Sequence, residues 1–274
     1  MSLIMDFSDK TVIVIGGTSG INRGIAEQFA AHGAKVAVAS RSQDKVDDTV
    51  ASLNDIGNGD AMGFSVDVRD AEGVRAGLEV VHKVFGDFDV LISGAAGNFP
   101  AMARSMSPNA FKSVIDIDLM GTFHVMNAAY PFLRKPGASV INISAPQAFL
   151  PLEAQSHVCA AKAGVDMITR TLSLEWGPDG IRINSIVPGP IDETEGLERL
   201  APTPEIREMT IQSVPLKRIG YKRDIANACM FLGSELSSYI TGVVLPVDGA
   251  WSLGGCGGMG NFLSKFARAQ EKNM

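Results

Sequence analysis

Short apolar runs alternate with longer amphipathic stretches along most of this chain. Near-continuous apolar strands separated by helices are buried on both faces, so this alternation predicts a parallel sheet covered by helices on both sides. We therefore expect an α/β fold with a doubly wound sheet of about seven strands. The predicted strands are Thr11–Ile15, Lys35–Ala39, Ala61–Val66, Phe88–Ile92, Ala138–Ile143, Arg182–Val187 and Val243–Val247. Helices are predicted at about 20–32, 43–55, 70–85, 108–133, 153–176 and 222–234.

The first strand leads into a glycine-rich turn and then into a helical pattern, with the sequence Ile15-Gly16-Gly17-Thr18-Ser19-Gly20-Ile21-Asn22-Arg23-Gly24. Glycine lets backbone N–H groups approach a phosphate, and the dipole of the following helix favours negative charge there. A second strand follows within one βαβ length. The pattern predicts a dinucleotide bound in a Rossmann-type sheet, beyond the carboxyl ends of the strands. An ordinary tight turn is the alternative.

Length and charge narrow the class of protein. The 274 residues suit one large domain, 1–274, and 46% hydrophobic residues supply a sizeable core. The formal net charge is −6 and no basic cluster occurs, which argues against nucleic acid or an anionic membrane as partner. No apolar run reaches the roughly 18 residues that a transmembrane helix needs.

Targeting signals and cysteines favour a cytoplasmic protein. Residues 1–10 lack the basic and apolar regions of a secretory signal, and the last residues are not a peroxisomal address. Cys159, Cys229 and Cys256 are few and far apart, which fits a reducing compartment. Their spacing does not indicate a metal site.

The residues after the second strand indicate which dinucleotide binds. An NAD-binding chain commonly has an acidic residue here, whereas this chain has Ser40-Arg41-Ser42. An arginine suits the 2′-phosphate of NADP(H), and Arg23 in the glycine turn could add a second cation. We therefore predict NADP(H) as the cofactor. The alternative is that Arg41 is only a solvated loop residue.

The spacing Gly16-x-x-x-Gly20-x-Asn22 resembles that of the short-chain dehydrogenase/reductase family, whose usual pattern is T-G-x-x-x-G-x-G. Ile15 and Asn22 depart from it. We expect the turn to survive because asparagine tolerates left-handed backbone. The resemblance implies that Asp67 contacts adenine and that Pro188-Gly189 and Ile191 face the nicotinamide. The implied cofactor-binding residues are Gly16, Thr18, Ser19, Gly20, Ile21, Asn22, Arg41, Asp67, Val68, Ala95, Ala96, Gly97, Lys162, Pro188, Gly189 and Ile191.

The catalytic positions of that family are altered in this chain. Lys162 fits the family lysine, and counting back places Val158 at the tyrosine and Ala145 at the serine. Aligned on Gly121, the family asparagine becomes Asp118. Ser144 is one residue early, so its side chain is expected on the opposite strand face. His157 is one residue before the missing tyrosine, about 100° around the helix.

The remaining candidate catalytic residues are Asp118, Lys162 and His157. An aspartate beside the lysine would keep it protonated and could hold a water. Such a pair suits a reaction in which charge develops on a thioester oxygen and a carbon takes the proton. The alternatives are that Asp118 is a surface carboxylate or part of a structural salt bridge, and that His157 has a packing role.

Several further segments resemble the 2,4-dienoyl-CoA reductases, especially the peroxisomal branch, which also lacks the tyrosine. They are Ala95-Ala96-Gly97-Asn98-Phe99, Asp116-Ile117-Asp118, His157 with Lys162, Glu175-Trp176-Gly177-Pro178 and residues 188–196. The resemblance covers about residues 8–250. It implies an NADPH-dependent reductase of unsaturated acyl-CoA thioesters, with hydride added at the far end of the diene and a proton added to carbon. We expect Asn98, Phe99 and Ser144 to contact substrate.

The resemblance also implies a mobile substrate lid at about 190–214 and a homotetramer formed through helices near residues 120 and 165. The glycine-rich tail, about 252–274, is expected to be flexible, with a short helix at 262–269. Two other functions stay open. One is a reductase of another carbonyl compound, such as a 3-oxoacyl thioester. The other is a non-catalytic NADP-binding sensor or partner subunit.

Overall fold

A computed structural model of the protein describes residues 5–57 and 60–254, together with Lys265, Arg268 and Ala269. Seven parallel strands form one sheet in the order β3-β2-β1-β4-β5-β6-β7. All seven predicted strands are confirmed, with ends shifted by at most two residues. The strands are β1 (Thr11–Ile15), β2 (Lys35–Ser40), β3 (Ala61–Ser65), β4 (Val90–Ser93), β5 (Ser139–Ile143), β6 (Arg182–Pro188) and β7 (Val244–Val247).

Helices cover both faces of this sheet, as the alternation predicted. They are α1 (Gly20–Ala31), α2 (Gln43–Ile56), α3 (Ala71–Phe85), α4 (Pro108–Val114), α5 (Gly121–Ala129), α6 (Ser156–Trp176), α7 (Glu195–Leu200), α8 (Pro204–Ser213) and α9 (Lys222–Gly233). Neighbouring residues of β1 point to opposite faces. Val12 and Val14 pack in the core with α1, α2 and α9, whereas Ile13 and Ile15 pack with α3 and α5.

Two predicted segments differ in detail from the structure. The single helix expected at 108–133 is α4 and α5 joined by a π-helical segment, Ile115–Met120, and followed by a short 3₁₀ turn. The expected lid contains α7 and α8, and the side chains of Thr194 and Thr203 cap their first turns. A threonine before Pro204 is a helix-start signal that the sequence already contained.

Little of the predicted tail lies within the described residues. Trp251–Leu253 forms a 3₁₀ turn, and the proposed helix at 262–269 falls almost entirely outside the described part of the chain. Among the residues that are described, no helix is both long and apolar enough to cross a lipid bilayer.

The strand order places the site. β2 lies on one side of β1 and β4 on the other, so the chain reverses its winding direction between β1 and β4. The turns that leave these two strands therefore diverge and open a crevice at the carboxyl edge of the sheet, where ligands of doubly wound folds bind.

Candidate active site

The glycine turn packs directly against the loop that leaves β4. Gly16 has a left-handed backbone with φ +79°, and a side chain there would place its Cβ 2.9 Å from the Ala95 nitrogen. Ser19 is the N-cap residue of α1 and its side chain makes no capping hydrogen bond. The turn therefore combines close backbone approach with a helix N-terminus that has no side-chain cap, which suits a phosphate.

The turn accommodates Asn22 for a reason other than the one expected. It lies inside α1 and is not among the described residues with positive φ. The turn forms as expected, but tolerance of left-handed backbone at Asn22 is not the reason. The left-handed positions of the turn are Gly16 and Gly20.

A cleft of about 340 Å³ opens beside the turn. We call it the glycine-turn cleft; its lining includes Gly16, Thr18, Ser19, Asn22, Ser40, Arg41, Lys45, Asp67, Val68, Ala95, Ala96 and Gly97. The hydroxyl of Ser40 is buried and finds no hydrogen-bond partner among the described residues. A buried hydroxyl without a partner is costly, so this atom fits a ligand that supplies one. The glycine turn and this hydroxyl therefore both fit a dinucleotide.

The cations of this cleft differ from those expected. Arg41 lines it, and Lys45 in the first turn of α2 adds the second cation. Arg23 does not line it, because its Nε donates to Glu27 Oε1 at 2.9 Å. The expectation that Arg23 faces the cofactor is therefore not met. Lys45 was not predicted from the sequence, although it follows Arg41 by only four residues.

Asp67 lines the same cleft in an ionised state. Its carboxylate accepts from Arg69 Nε at 2.9 Å and Nη2 at 2.5 Å. The hydrogen bond from Arg69, aided by the charge of Arg41, lowers the pKa of Asp67 to about 2. Its contact with adenine stays a prediction.

A second cleft, of about 570 Å³, adjoins the first. We call it the lysine cleft; its lining includes Ser19, Gly20, Ile21, Asn22, Ala96, Gly97, Asn98, Asp118, Ser144, Ala145, Val158, Lys162, Pro188, Gly189, Ile191 and Trp251. Every predicted cofactor residue thus lines one cleft or both. Six residues line both clefts and mark where a dinucleotide would pass from one to the other: Ser19, Asn22, Gly94, Ala96, Gly97 and Glu195.

Asp118 and Lys162 form a buried ion pair in this cleft. Lys162 Nζ lies 3.3 Å from Asp118 Oδ2, and the two side chains are 7% and 1% exposed. Lys162 Nζ also donates to the Ile143 carbonyl at 3.0 Å, and Asp118 Oδ1 accepts from the Gly97 N–H at 2.7 Å. A buried pair needs such additional hydrogen bonds to offset lost hydration. The alternative of an exposed carboxylate at residue 118 is excluded.

The π-helical segment turns Asp118 toward the lysine. The Gly121 N–H bonds to the Asp116 carbonyl, five residues back, instead of four. The Asp118 carbonyl accepts from the Thr122 hydroxyl at 2.7 Å. π-helical turns of this kind recur at functional sites, where they widen a helix locally.

The structure does not bring His157 into the cleft. The ring is fully buried and stacks against Phe99, with ring centroids 4.5 Å apart. Neither residue lines either cleft, and neither imidazole nitrogen has a hydrogen-bond partner in the described ranges. Burial lowers the pKa of His157, and the Phe99 carbonyl and the Asp118 charge oppose that only in part. The structure therefore corrects the catalytic role of the buried His157 to a packing role. Phe99 is half-buried, and its contact with substrate stays a prediction.

The side chains of Ser144 and Ala145 point in opposite directions, as expected for neighbouring residues of an extended chain. Ala145 and Ser144 both line the cleft, yet the Ser144 hydroxyl is buried beside Asp166 and not exposed to it. Burial raises the pKa of Asp166, while the neighbouring hydroxyls of Ser144 and Ser185 oppose the shift. Any contact between Ser144 and a ligand would therefore come from its backbone.

Trp251 is a residue of the lysine cleft that the sequence did not reveal. Its Nε1 donates to the Ser213 hydroxyl at the end of α8, at 3.0 Å. The ring is 7% exposed and forms part of the cleft wall. It lies far along the chain from the other lining residues, and no local motif marks it.

Comparison with known proteins places this site in a family. A family model described as "Enoyl-(Acyl carrier protein) reductase" matches residues 16–252. A relative from Arabidopsis thaliana, named a peroxisomal 2,4-dienoyl-CoA reductase, is 42% identical over 250 residues, which cover 88% of this chain and 83% of that protein. A probable 2,4-dienoyl-CoA reductase from Bacillus subtilis is 38% identical over 88% of this chain and 95% of its own.

Solved structures agree with the fold. The crystal structure of levodione reductase superposes with a TM-score of 0.85 at 30% identity, covering 90% of this chain and 99% of that one. Oxidoreductases of this kind use a nicotinamide nucleotide, which the two clefts fit. The chain therefore belongs to the short-chain dehydrogenase/reductase family, and the 2,4-dienoyl-CoA reductases are among its relatives.

Proposed function

We propose that this protein is an NADPH-dependent reductase of 2,4-dienoyl-CoA thioesters. The observation that carries the proposal is the buried pair of Asp118 and Lys162 in a cleft where Val158 and Ala145 supply no hydroxyl. The names of the relatives support it. A reductase that delivers a proton to a carbonyl oxygen needs an acidic hydroxyl near that oxygen, and the cleft lacks the usual one.

The cofactor would be held along both clefts. The N–H groups of the glycine turn suit the pyrophosphate, and Arg41 with Lys45 suits the 2′-phosphate. Lys162 would bond the ribose near the nicotinamide, and the backbone of Ile191 would hold the carboxamide. A reduced nicotinamide bound there supplies hydride to a carbon of the substrate.

Lys162 would then stabilise the charge that develops on the substrate, and Asp118 would direct the proton. An ammonium group has three N–H donors, and Lys162 donates one of them to the Ile143 carbonyl. It pairs with Asp118 through charge at 3.3 Å, and Asp118 Oδ2 has no hydrogen-bond partner among the described residues. Reduction of a conjugated thioester develops negative charge on its oxygen, which a fixed donor stabilises. Asp118 would orient the water that delivers the proton to carbon, and this avoids any need for a tyrosine.

The position of that proton decides the product. Protonation at the α-carbon leaves a 3-enoyl thioester, and protonation at the γ-carbon leaves a 2-enoyl thioester. The Arabidopsis relative is named as producing the (3E)-enoyl-CoA and the Bacillus relative the (2E)-enoyl-CoA. Because Asp118 and Lys162 lie 3.3 Å apart, a water held by Asp118 is next to the thioester oxygen and so nearest to the α-carbon. We therefore favour the 3-enoyl product.

The test is Asp118→Asn, which keeps the shape and removes the charge. With saturating NADPH, turnover of a dienoyl-CoA should fall by roughly 10²–10⁴, the scale of a positioned acid–base group. Asp116→Asn is the matched control. It lies two residues away in the same π-helical segment but pairs with Lys112 near the surface, so turnover should not change. Equal turnover in Asp118→Asn and wild type would leave Asp118 a structural residue.

A product analysis completes the test. Reaction in D₂O followed by NMR should place deuterium at the α-carbon, and deuterium at the γ-carbon would overturn the product assignment. A panel of dienoyl-, enoyl- and 3-oxoacyl-CoA thioesters should show turnover mainly with the first. Turnover with the 3-oxoacyl thioester alone would favour the other carbonyl reductase, and no turnover with any would favour a non-catalytic role.

Two expectations from the family resemblance belong to the same proposal. Residues 190–214 would act as the substrate lid, tied down by the ion pairs Asp192–Arg207 and Glu193–Lys222. The exposed apolar side chains of α6, such as Met167 and Leu174, would pack against other subunits in a homotetramer. Light scattering coupled to size-exclusion chromatography would give the mass of the assembly. A cytoplasmic location stays a prediction.

A further inference from the structure

The side chain of Asn22 lies between the two loops that form the crevice. Its Nδ2 donates to the Gly94 carbonyl at 2.8 Å. A carbonyl accepts and cannot donate, so this bond fixes which end of the amide faces Gly94. The residue is 9% exposed, and its Oδ1 has no partner within the described residues.

Gly94 has room for a hydrogen atom only. A Cβ added there would lie 2.4 Å from Asn22 Oδ1 and 2.5 Å from Nδ2, distances that real Cβ atoms do not show. Its φ is not in the left-handed region, so its backbone conformation does not require glycine. The Asn22 amide is therefore what excludes a side chain at residue 94.

The loop that starts at Gly94 is held at both ends. Asn22 binds it at the Gly94 carbonyl, and Asp118 Oδ1 accepts from the Gly97 N–H at 2.7 Å. The loop lines both clefts between these two points. A shift at the Gly94 end would move both the surface under the cofactor and the donor that orients the Asp118 carboxylate.

We propose that Asn22 and Gly94 form a coupled pair that positions this loop. Asn22 is a positioning residue for the cofactor surface and, through Gly97, for Asp118. The absence of a side chain at Gly94 is a requirement created by Asn22 and not by the backbone. The catalytic part of this inference rests on the proposed function, whereas the cofactor part requires only a bound nicotinamide nucleotide.

A double-mutant cycle tests the coupling. NADPH and NADH affinities are measured by fluorescence titration without substrate. Asn22→Ala should weaken binding by about 2- to 10-fold, the scale of one hydrogen bond. Gly94→Ala should weaken it by more than about tenfold, because the new Cβ displaces the amide and the loop. In the Asn22→Ala background, the same Gly94→Ala change should cost less than about twofold, since the obstructing amide is gone.

Gly177→Ala is the matched control. Its φ is also outside the left-handed region and a Cβ there would meet nothing within 4 Å, so cofactor affinity should not change. If Gly94→Ala alone is insoluble, the double variant should be recovered as soluble protein. Equal penalties for Gly94→Ala in both backgrounds, or a double variant as insoluble as the single one, would overturn the coupling.

Two further readouts separate the roles. The loss in Asn22→Ala should be equal for NADPH and NADH, because the 2′-phosphate residues lie elsewhere in the cleft. A loss confined to NADPH would contradict the proposed placement, whatever the enzyme's preference. At saturating cofactor, Asn22→Ala should lower kcat for a dienoyl-CoA by about tenfold with little change in KM, as a misplaced acid–base group does. A raised KM with unchanged kcat would overturn the link to Asp118.

Discussion

The glycine-turn cleft and the lysine cleft use their residues in opposite ways. The first is shaped by the backbone of the glycine turn, and its lining includes the cations Arg41 and Lys45. The second contains the buried pair of Asp118 and Lys162, and its lining mixes apolar residues with polar ones such as Asn98. Backbone shape leaves a sequence signature in glycines and spacing. Side-chain chemistry can change with a single residue. By the family resemblance, the chain departs from the usual pattern at Ile15 in the first cleft, at Asn22 in the wall that the two clefts share and at Asp118 in the second.

Burial explains why the two clefts respond differently to mutation. Exposed charges gain little from pairing because water screens them. A buried charge that loses its partner is strongly destabilised, and Asp118 and Lys162 are almost wholly enclosed. Changes in the lysine cleft should therefore have larger effects than changes in the glycine-turn cleft.

The largest expected effect is that of Lys162→Ala. Turnover of a dienoyl-CoA should fall by at least the roughly 10²–10⁴ of a positioned group. NADPH affinity should also fall through the lost ribose contact, which separates this variant from Asp118→Asn. Steady-state kinetics with fluorescence titration measure both. Lys112→Ala, which breaks only the surface pair with Asp116, is the control. Unchanged NADPH affinity in Lys162→Ala would remove the ribose contact from the proposal.

Arg41→Ala should act on affinity alone. A charge-assisted contact is worth roughly 1.5–3 kcal/mol, so NADPH binding should weaken by about 10- to 100-fold while NADH binding stays the same. Arg23→Ala is matched to it, since Arg23 pairs with Glu27 outside the cleft. Isothermal titration gives both constants. Wild-type protein that binds NADPH and NADH equally would contradict the assignment.

Restoring the absent hydroxyls should not improve the enzyme. Val158→Tyr combined with Ala145→Ser would place a tyrosine and a serine in the wall of the lysine cleft, at the positions that the family resemblance assigns to them. If the site protonates carbon, turnover of a dienoyl-CoA should not rise. A large gain in kcat/KM on that substrate would show that the pair of Asp118 and Lys162 is not what sets the chemistry.

The smallest effect on turnover is expected from His157→Leu, within about twofold, because the ring lies outside both clefts. Its effect on stability should depend on pH. The pKa of His157 is below its ordinary 6.5 in the folded state, so the unfolded chain binds the proton more readily. The free energy of unfolding should therefore be highest above pH 6.5 and fall as the pH decreases toward the folded pKa. Denaturant titrations between pH 5 and 8 should show a weaker pH dependence in His157→Leu. If the pH dependence of the free energy of unfolding is the same in His157→Leu and wild type, other titratable groups cause it.

Much of the fold could be predicted because it follows from burial. Most strand residues are apolar, and the alternation of such strands with helices predicts a parallel sheet. The π-helical segment could not be predicted, since Asp116-Ile117-Asp118 has no feature that distinguishes it from an ordinary helix. It shows only in the hydrogen bond from the Gly121 N–H to the Asp116 carbonyl, five residues back.

Part of the site could be predicted, because the family motifs have fixed spacings along the chain. Lys162 and Asp118 were identified by their match to motifs of the resembling family, Asp118 through its spacing from Gly121, and the structure brings them together. Distances in the sequence do not reveal which residues close a cleft from elsewhere, so Trp251 was missed. The type of a residue also does not reveal how its side chain packs in the folded protein. His157 was considered for catalysis because of its chemistry, and its stacking on Phe99 shows only in three dimensions.

Trp251 gives the molecule a built-in optical reporter. The chain contains two tryptophans, and the other, Trp176, is stacked with Tyr130 at 4.7 Å in the layer beside the sheet. Trp251 alone lies in the lysine cleft and is bonded to α8. In a Trp176→Phe background all indole emission would come from the cleft wall. Occupancy by a nucleotide or thioester, and movement of α8, could then be followed as a change in emission without any chemical label and without turnover.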